Sequence, residues 1–142
     1  MTTSTHHIES AQGTAEHILE LYTAWTTLSD GDTESVTVDG DTYEAPDEVI
    51  DAARELPLEV AVRSDWFAPG SRSSIEVAEY LILLSTGGPA VQITGRLGDH
   101  CQPSTVDLQA QDWGTPWVGV PTTSEQDEAL EWFAQLFYYG EG

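Results

Sequence analysis

The stretch LILLSTGGPAVQI, residues 81–93, constrains this chain more than any other. Gly87-Gly88 sits between two apolar runs. A phosphate-binding loop would open a helix and bring a lysine, whereas both flanks here carry strand patterns, so the stretch reads as a β-hairpin with a two-residue loop. That loop fixes a register. Thr86 opposes Pro89, Leu84 opposes Val91, Ile82 opposes Ile93, Tyr80 opposes Gly95 and Ala78 opposes Leu97 on one apolar face. The other face pairs Leu83 with Gln92, Leu81 with Thr94 and Glu79 with Arg96. An opposite-charge pair thus falls directly across the ladder, where it stabilises the pairing.

The remaining segments extend this hairpin into a sheet. Strand patterns cover Leu58 to Trp66, Ile75 to Ser85, Ala90 to Leu97 and Thr105 to Trp113. Alternation turns Leu58, Val60, Val62 and Trp66 inward on the first of these, and Val106, Leu108 and Ala110 inward on the last. Upstream, Thr14 reads as the cap of a helix reaching about Leu28, with Ile18, Leu21, Tyr22, Trp25 and Leu28 along one stripe. Val36 and Val38 lead into Asp39-Gly40, a tight-turn signal, and a helix follows Pro46 and ends at Pro57. A last helix begins at Ser124, with Asp127 completing a capping box, and stops at Gly140. The expected fold is α+β: one domain over residues 1–142 with a flexible N-terminus at 1–13. A four-stranded antiparallel meander carries helices on one face, with an acidic β-hairpin appended.

The same alternation predicts what the helix-free face displays. Arg63, Asp65 and Phe67 come from the first strand, Gln92 and Arg96 from the third, and Gln109, Gln111 and Trp113 from the fourth. Trp117 follows across the Gly-Thr-Pro turn. These nine residues form the expected binding surface, with tryptophan and arginine as anchors. The competing reading has both tryptophans merely capping the core or covering the sheet edge. Leu81 and Leu83 on this face suggest a homodimer.

Charge narrows the function classes. The chain has 25 acidic and 4 basic residues, for a net charge of −21. The basic residues are Arg54, Arg63, Arg72 and Arg96, and lysine is absent. A chain with so few cations is not expected to bind nucleic acid directly. Such an acidic, lysine-free composition resembles that of proteins from halophiles that hold molar salt in the cytoplasm. Acids are densest between residues 30 and 59. Asp39, Asp41, Glu44, Asp47, Glu48 and Asp51 form the patch that a DNA mimic would present to a basic groove. No apolar run is long enough to cross a bilayer and no signal-peptide pattern opens the chain, so the expectation is a cytoplasmic protein without membrane contact. Cys101 is the lone cysteine, and His6, His7 and His17 lie at spacings that match no standard ligand motif. No metal, cofactor or catalytic residue is assigned. A third alternative is a small enzyme using Asp65 and Asp112 as a carboxylate pair beside Trp66 and Trp113.

Four segments, DGDTYEAPDEVIDAARELPLEVAVRSDW, LILLSTGGPAVQITGRL, QDWGTPW and FAQLFYYGE, carry a resemblance. Together they are similar to small uncharacterised proteins encoded by phages and other mobile elements. The resemblance implies a viral, proviral or plasmid origin and lends no activity. It singles out Arg63, Trp66, Gly87, Gly88, Pro89, Asp112 and Trp113. The expected function is a non-enzymatic binding or regulatory protein of a halophile, acting through protein–protein contacts.

The charge makes a direct prediction. Raising KCl from about 0.1 M to about 1 M shortens the Debye length from roughly 10 Å to 3 Å and screens self-repulsion. The melting temperature, followed by circular dichroism, is expected to climb over that range.

Overall fold

A computed structural model gives the architecture. It describes residues 6–31, 33–64, 66, 68–70, 77–86, 90–98, 101–112, 116–137 and 139. The order is α1 (His6–Ser29), β1 (Val36–Val38), β2 (Asp41–Tyr43), α2 (Pro46–Arg54), β3 (Glu59–Ser64), β4 (Val77–Ser85), β5 (Ala90–Arg96), β6 (Asp107–Gln111), β7 (Val118–Gly119) and α3 (Ser124–Ala134). Strands β3 to β7 form one antiparallel meander in sequence order, while β1 and β2 make a separate hairpin. The fold is α+β, as the alternation implied. Among the described residues the sheet has five strands where four were expected, because β7 adds a short rung against β6, Gln109 opposite Gly119 and Ala110 opposite Val118. Two residues are too few to register as alternation.

The hairpin register holds through its middle. Ile82 faces Ile93, Tyr80 faces Gly95, Leu81 faces Thr94, Leu83 faces Gln92 and Glu79 faces Arg96. Near the turn it departs from expectation. Ser85, rather than Leu84, faces Val91, so β4 carries one extra residue between Leu83 and Ser85. A bulge of this kind restores the pleat while lengthening one strand. The loop residues Gly87, Gly88 and Pro89 themselves lie outside the described residues.

One face of the sheet meets the helices. Helix α1 lies over β5 and β6 and packs against α2 and α3. Its stripe of Ala11, Ala15, Ile18, Leu21, Ala24 and Leu28 is buried against Ile82, Val91, Ile93, Leu108 and Ala110 of the core. Phe133 and Leu130 of α3 close the layer. Tyr22 and Trp25 of α1 gather with Trp132 of α3, their ring centroids 5.5 to 6.2 Å apart. Helix α1 begins eight residues before the expected Thr14 cap. Thr14 lies inside it and donates to the Ser10 carbonyl, and His7 and Ala11 of the segment expected to be loose are buried. No helix among the described residues is long and apolar enough to cross a membrane.

Local chemistry sets the other boundaries. Asp39 and Gly40 have φ of 50° and 87°, the two left-handed residues of a type I′ turn. Glu48 accepts from the Glu44 and Ala45 amides and so caps α2, with Pro46 as the first helical residue. Helix α3 is capped one residue earlier than expected. The Thr123 hydroxyl accepts from the Gln126 amide, and Gln126 Oε1 accepts from the Thr123 amide. The helix ends at Ala134, short of Gly140, which lies outside the described residues.

The inward assignment for β3 needs correction. Leu58 is 62% exposed, Val60 37%, Val62 42% and Trp66 103%. Val60 and Val62 stand opposite Ile82 and Tyr80, on the side that carries the helices. The helix layer is centred on β5 and β6, so the sheet extends past its cover at this edge.

Gly95 is where backbone and side chain crowd most closely. A Cβ there would collide with the Thr105 carbonyl oxygen and stand 2.8 Å from Tyr80 Cε1. The Tyr80 hydroxyl donates to that same carbonyl at 2.6 Å. Gly95→Ala is expected to destabilise by about 1–3 kcal/mol through overpacking. Gly119→Ala, with nothing within 4 Å of the added carbon, should change stability by no more than about 0.5 kcal/mol. Urea unfolding of the two variants checks the contrast.

Candidate functional site

The helix-free face is concave. A hollow of about 440 Å³ lies along it, lined in part by Arg63, Glu79, Gln92, Arg96, Asp107 and Gln109. Register explains the convergence. Ala61 faces Leu81 and Arg63 faces Glu79 across β3 and β4. Glu79 faces Arg96 across β4 and β5, and Gln92 faces Gln109 across β5 and β6. Adjacent strands thus deliver polar side chains to a common strip, Arg63 from β3, Glu79 from β4, Gln92 and Arg96 from β5, and Asp107 and Gln109 from β6.

Glu79 is the hub of the charged end. Arg63 Nε lies 2.7 Å from its Oε2, and Arg96 Nη1 lies 3.9 Å from its Oε1. The Arg63 side chain is 76% exposed and that of Arg96 52%, so these contacts add little to folding stability. Arg96 is nonetheless well placed by its backbone. Its amide donates to Thr105 Oγ1 at 2.8 Å, and its carbonyl accepts from the Ser104 amide at 2.8 Å. The segment after β5 folds back to make these bonds, with Leu97 bridged to Pro103.

The other end of the hollow is an amide pair. Gln92 Nε2 donates to Gln109 Oε1 at 2.7 Å. Gln92 is only 7% exposed although no helix among the described residues covers this side. A buried amide holding another amide is rigid, and it presents fixed hydrogen-bonding geometry beside the arginines.

Of the nine residues expected on this surface, Arg63, Gln92, Arg96 and Gln109 line the hollow. Gln111 continues the same face at the end of β6, paired with Ala90. Trp117 is half-buried just before β7 and is not among the lining residues, so it departs from the expected cluster. Asp65, Phe67 and Trp113 lie outside the described residues. The expected Asp65–Asp112 pair therefore also falls outside the described residues. Alternation alone could have added Glu79, which shares a face with both arginines. Thr105 had no such signal, since it arrives through the returning segment after β5.

Compared with known protein families, curated proteins and solved structures, the chain matches none.

The acidic patch does not form one site. Asp39 sits in the β1–β2 turn with Oδ2 2.7 Å from His17 Nδ1, a close approach that lacks hydrogen-bond alignment. Glu48 is occupied as the α2 cap. Asp41, Glu48 and Asp51 border a second hollow of about 570 Å³ together with Tyr43. Burial, helped by Asp41, Asp39 and Glu55, raises the Tyr43 phenol above its ordinary value. Among the described residues, His17, Glu20 and Asp39 could place one ligand atom each within 4.8 Å of the others. Sequence spacing missed this trio because Asp39 reaches α1 only through the tertiary fold. In a chain with 25 acidic residues, such a meeting of carboxylates is unsurprising.

Because Gln92 is buried and its partner is an amide, Gln109→Leu is expected to strand a donor at a cost of about 1–3 kcal/mol. Replacing both, Gln92→Leu with Gln109→Leu, should recover most of that loss. Chemical denaturation of the single and double variants measures the coupling.

Proposed function

We propose that this chain is a non-catalytic binding protein that takes a segment of another protein on the helix-free face of its sheet. The observation that supports this most is the hollow itself, which holds two of the four basic residues of the chain. Arginines around a shared glutamate, next to a fixed amide pair, form a mixed-charge, hydrogen-bonding strip. Such a strip suits the backbone and polar side chains of an extended peptide, with Arg63 and Arg96 as anchors. Leu81 adds apolar contact on the floor. We further propose that the protein works in concentrated salt as the product of a halophile's virus, provirus or plasmid. The acidic, lysine-free composition and the resemblance to mobile-element proteins support that setting.

A second reading keeps one observation of its own. Asp41, Glu48, Asp51 and Glu55 gather around the hollow at Tyr43, four carboxylates among apolar residues and His17, which a basic DNA-binding protein could engage. Its affinity would fall steeply with salt, as counterion release requires.

Selection of peptides from a displayed library separates the two. Wild-type protein is expected to enrich a peptide family that Arg96→Ala no longer retains, while the melting temperature of that variant remains within a few degrees of wild type. Charge reversal at Asp41, Asp51 and Glu55 should leave the enrichment intact. Equal enrichment on wild type and the face variant would defeat the proposed surface, and loss only on charge reversal would favour mimicry.

A further inference from the structure

Among the described residues, every exposed large apolar side chain lies on one short piece of chain: Leu58, Val60, Val62 and Trp66. That piece is β3 with its two ends, and among the described residues β3 is an edge of the sheet. Its outer rim therefore combines outward-directed strand N–H and C=O groups with an apolar row, the combination that templates further strand pairing.

The backbone parity of that rim can be worked out from the interior. Leu97 donates to the Ala78 carbonyl, so even-numbered residues of β4 turn their backbone groups toward β5. Leu58 donates to the Leu83 carbonyl, so odd-numbered residues of β4 face β3. Glu59, Ala61 and Arg63 lie opposite Leu83, Leu81 and Glu79 and direct their N–H and C=O groups into the sheet. Val60 and Val62 then direct theirs outward.

We propose that β3 pairs antiparallel with β3 of a second copy of this chain, about a two-fold axis through Ala61, to give one continuous sheet across a homodimer. In that register Val60 of each copy exchanges both backbone hydrogen bonds with the other copy's Val62, which matches the outward parity. The valines meet on the helix side. On the opposite side Glu59 stands across from the other copy's Arg63, and Arg63 from the other copy's Glu59. Moving the axis by one residue in either direction breaks this charge match: it sets Arg63 against the other copy's Pro57, or Glu59 against the other copy's Asp65. Trp66, fully exposed in the single chain, comes to the end of the second strand where Leu56, Pro57 and Leu58 lie. The contact is isologous and closes on itself, so it does not propagate into fibres. Leu81 and Leu83, which the alternation had suggested for a dimer, are half-buried and take no part.

Two chains of charge −21 meet at this edge, so association must strengthen as salt screens them. Sedimentation velocity of the full chain at up to about 100 µM is expected to show dimer mass in about 1 M KCl and a larger monomer fraction in about 0.1 M. Glu59→Arg and Arg63→Glu each set like charges across the axis and should weaken the dimer by about tenfold or more. Mixing the two variants should restore dimer mass, because each introduced charge then faces its opposite. Val62→Pro removes only an outward N–H and should give a folded monomer by circular dichroism, which covers the case of a charge variant that misfolds. The proposal is overturned if wild type stays monomeric at about 100 µM in about 1 M KCl. It is equally overturned if either charge variant, or Val62→Pro, keeps the wild-type dimer, or if the mixed charge variants, both folded, remain monomeric.

Discussion

Pairing of β4 with β5 is the contact on which the rest of the molecule depends. With Ile82 against Ile93 and Tyr80 against Gly95, one side of the hairpin is apolar and takes the helix layer. The same pairing puts Glu79 against Arg96 and Leu83 against Gln92 on the other side. Strand side chains alternate with a period of two, so a slip of one residue would bury the arginine and glutamate and expose the isoleucines. The bulge between Leu83 and Ser85 matters for this reason. It absorbs an extra residue near the turn without carrying the slip into the ladder. Core and polar strip are therefore two consequences of one register.

Features fixed by neighbours in sequence were legible beforehand. Alternation placed Ile82, Ile93, Leu108 and Ala110 in the core and Arg63, Arg96, Gln92 and Gln109 together on the other face. The left-handed requirement of a tight turn pointed to Asp39-Gly40. Features decided by distant contacts were not legible. Hydrophobic pattern tells which way Val60 and Val62 point, but only the placement of α1 tells whether anything lies above them. Strand β7 owes its existence to the edge of β6 rather than to a pattern of its own. The α3 cap shows a finer limit: Thr123, Ser124, Gln126 and Asp127 offer two overlapping capping boxes, and the bonds formed select the Thr123–Gln126 pair.

The charge distribution asks for a different kind of reading. Dense acid in residues 30–59 looks like one feature in sequence, yet the fold gives its members separate tasks. Asp39 takes the first left-handed position of a turn, Glu48 caps a helix, and Asp47 lies in the first turn of α2, where the helix dipole favours a negative charge. The cations are the scarcer resource, and their placement is the more informative. Arg54 donates to the Leu136 carbonyl and ties α2 to the segment after α3. Arg63 and Arg96 instead meet at Glu79 on an open face, where exposure leaves them little stabilising value. Placing scarce positive charge where it does least for the fold is what makes that face a reasonable place to look for recognition.

Strong net charge also limits how such a molecule can touch anything. Repulsion acts at long range in dilute salt and fades when the Debye length shrinks to a few ångströms. What remains then is short-range and directional: strand hydrogen bonds, paired charges in register, apolar contact. The rim of β3 offers all three within a few residues, and the hollow beside it offers the last two together with an amide pair. Arg63 belongs to both, since it reaches Glu79 across β4 while most of its side chain is open to solvent. A pairing at the β3 edge would therefore carry the polar strip across the two-fold axis, turning one hollow into two that share a boundary. The proposed edge pairing and the proposed face recognition would in this way be linked through a single arginine whose position the central register determines.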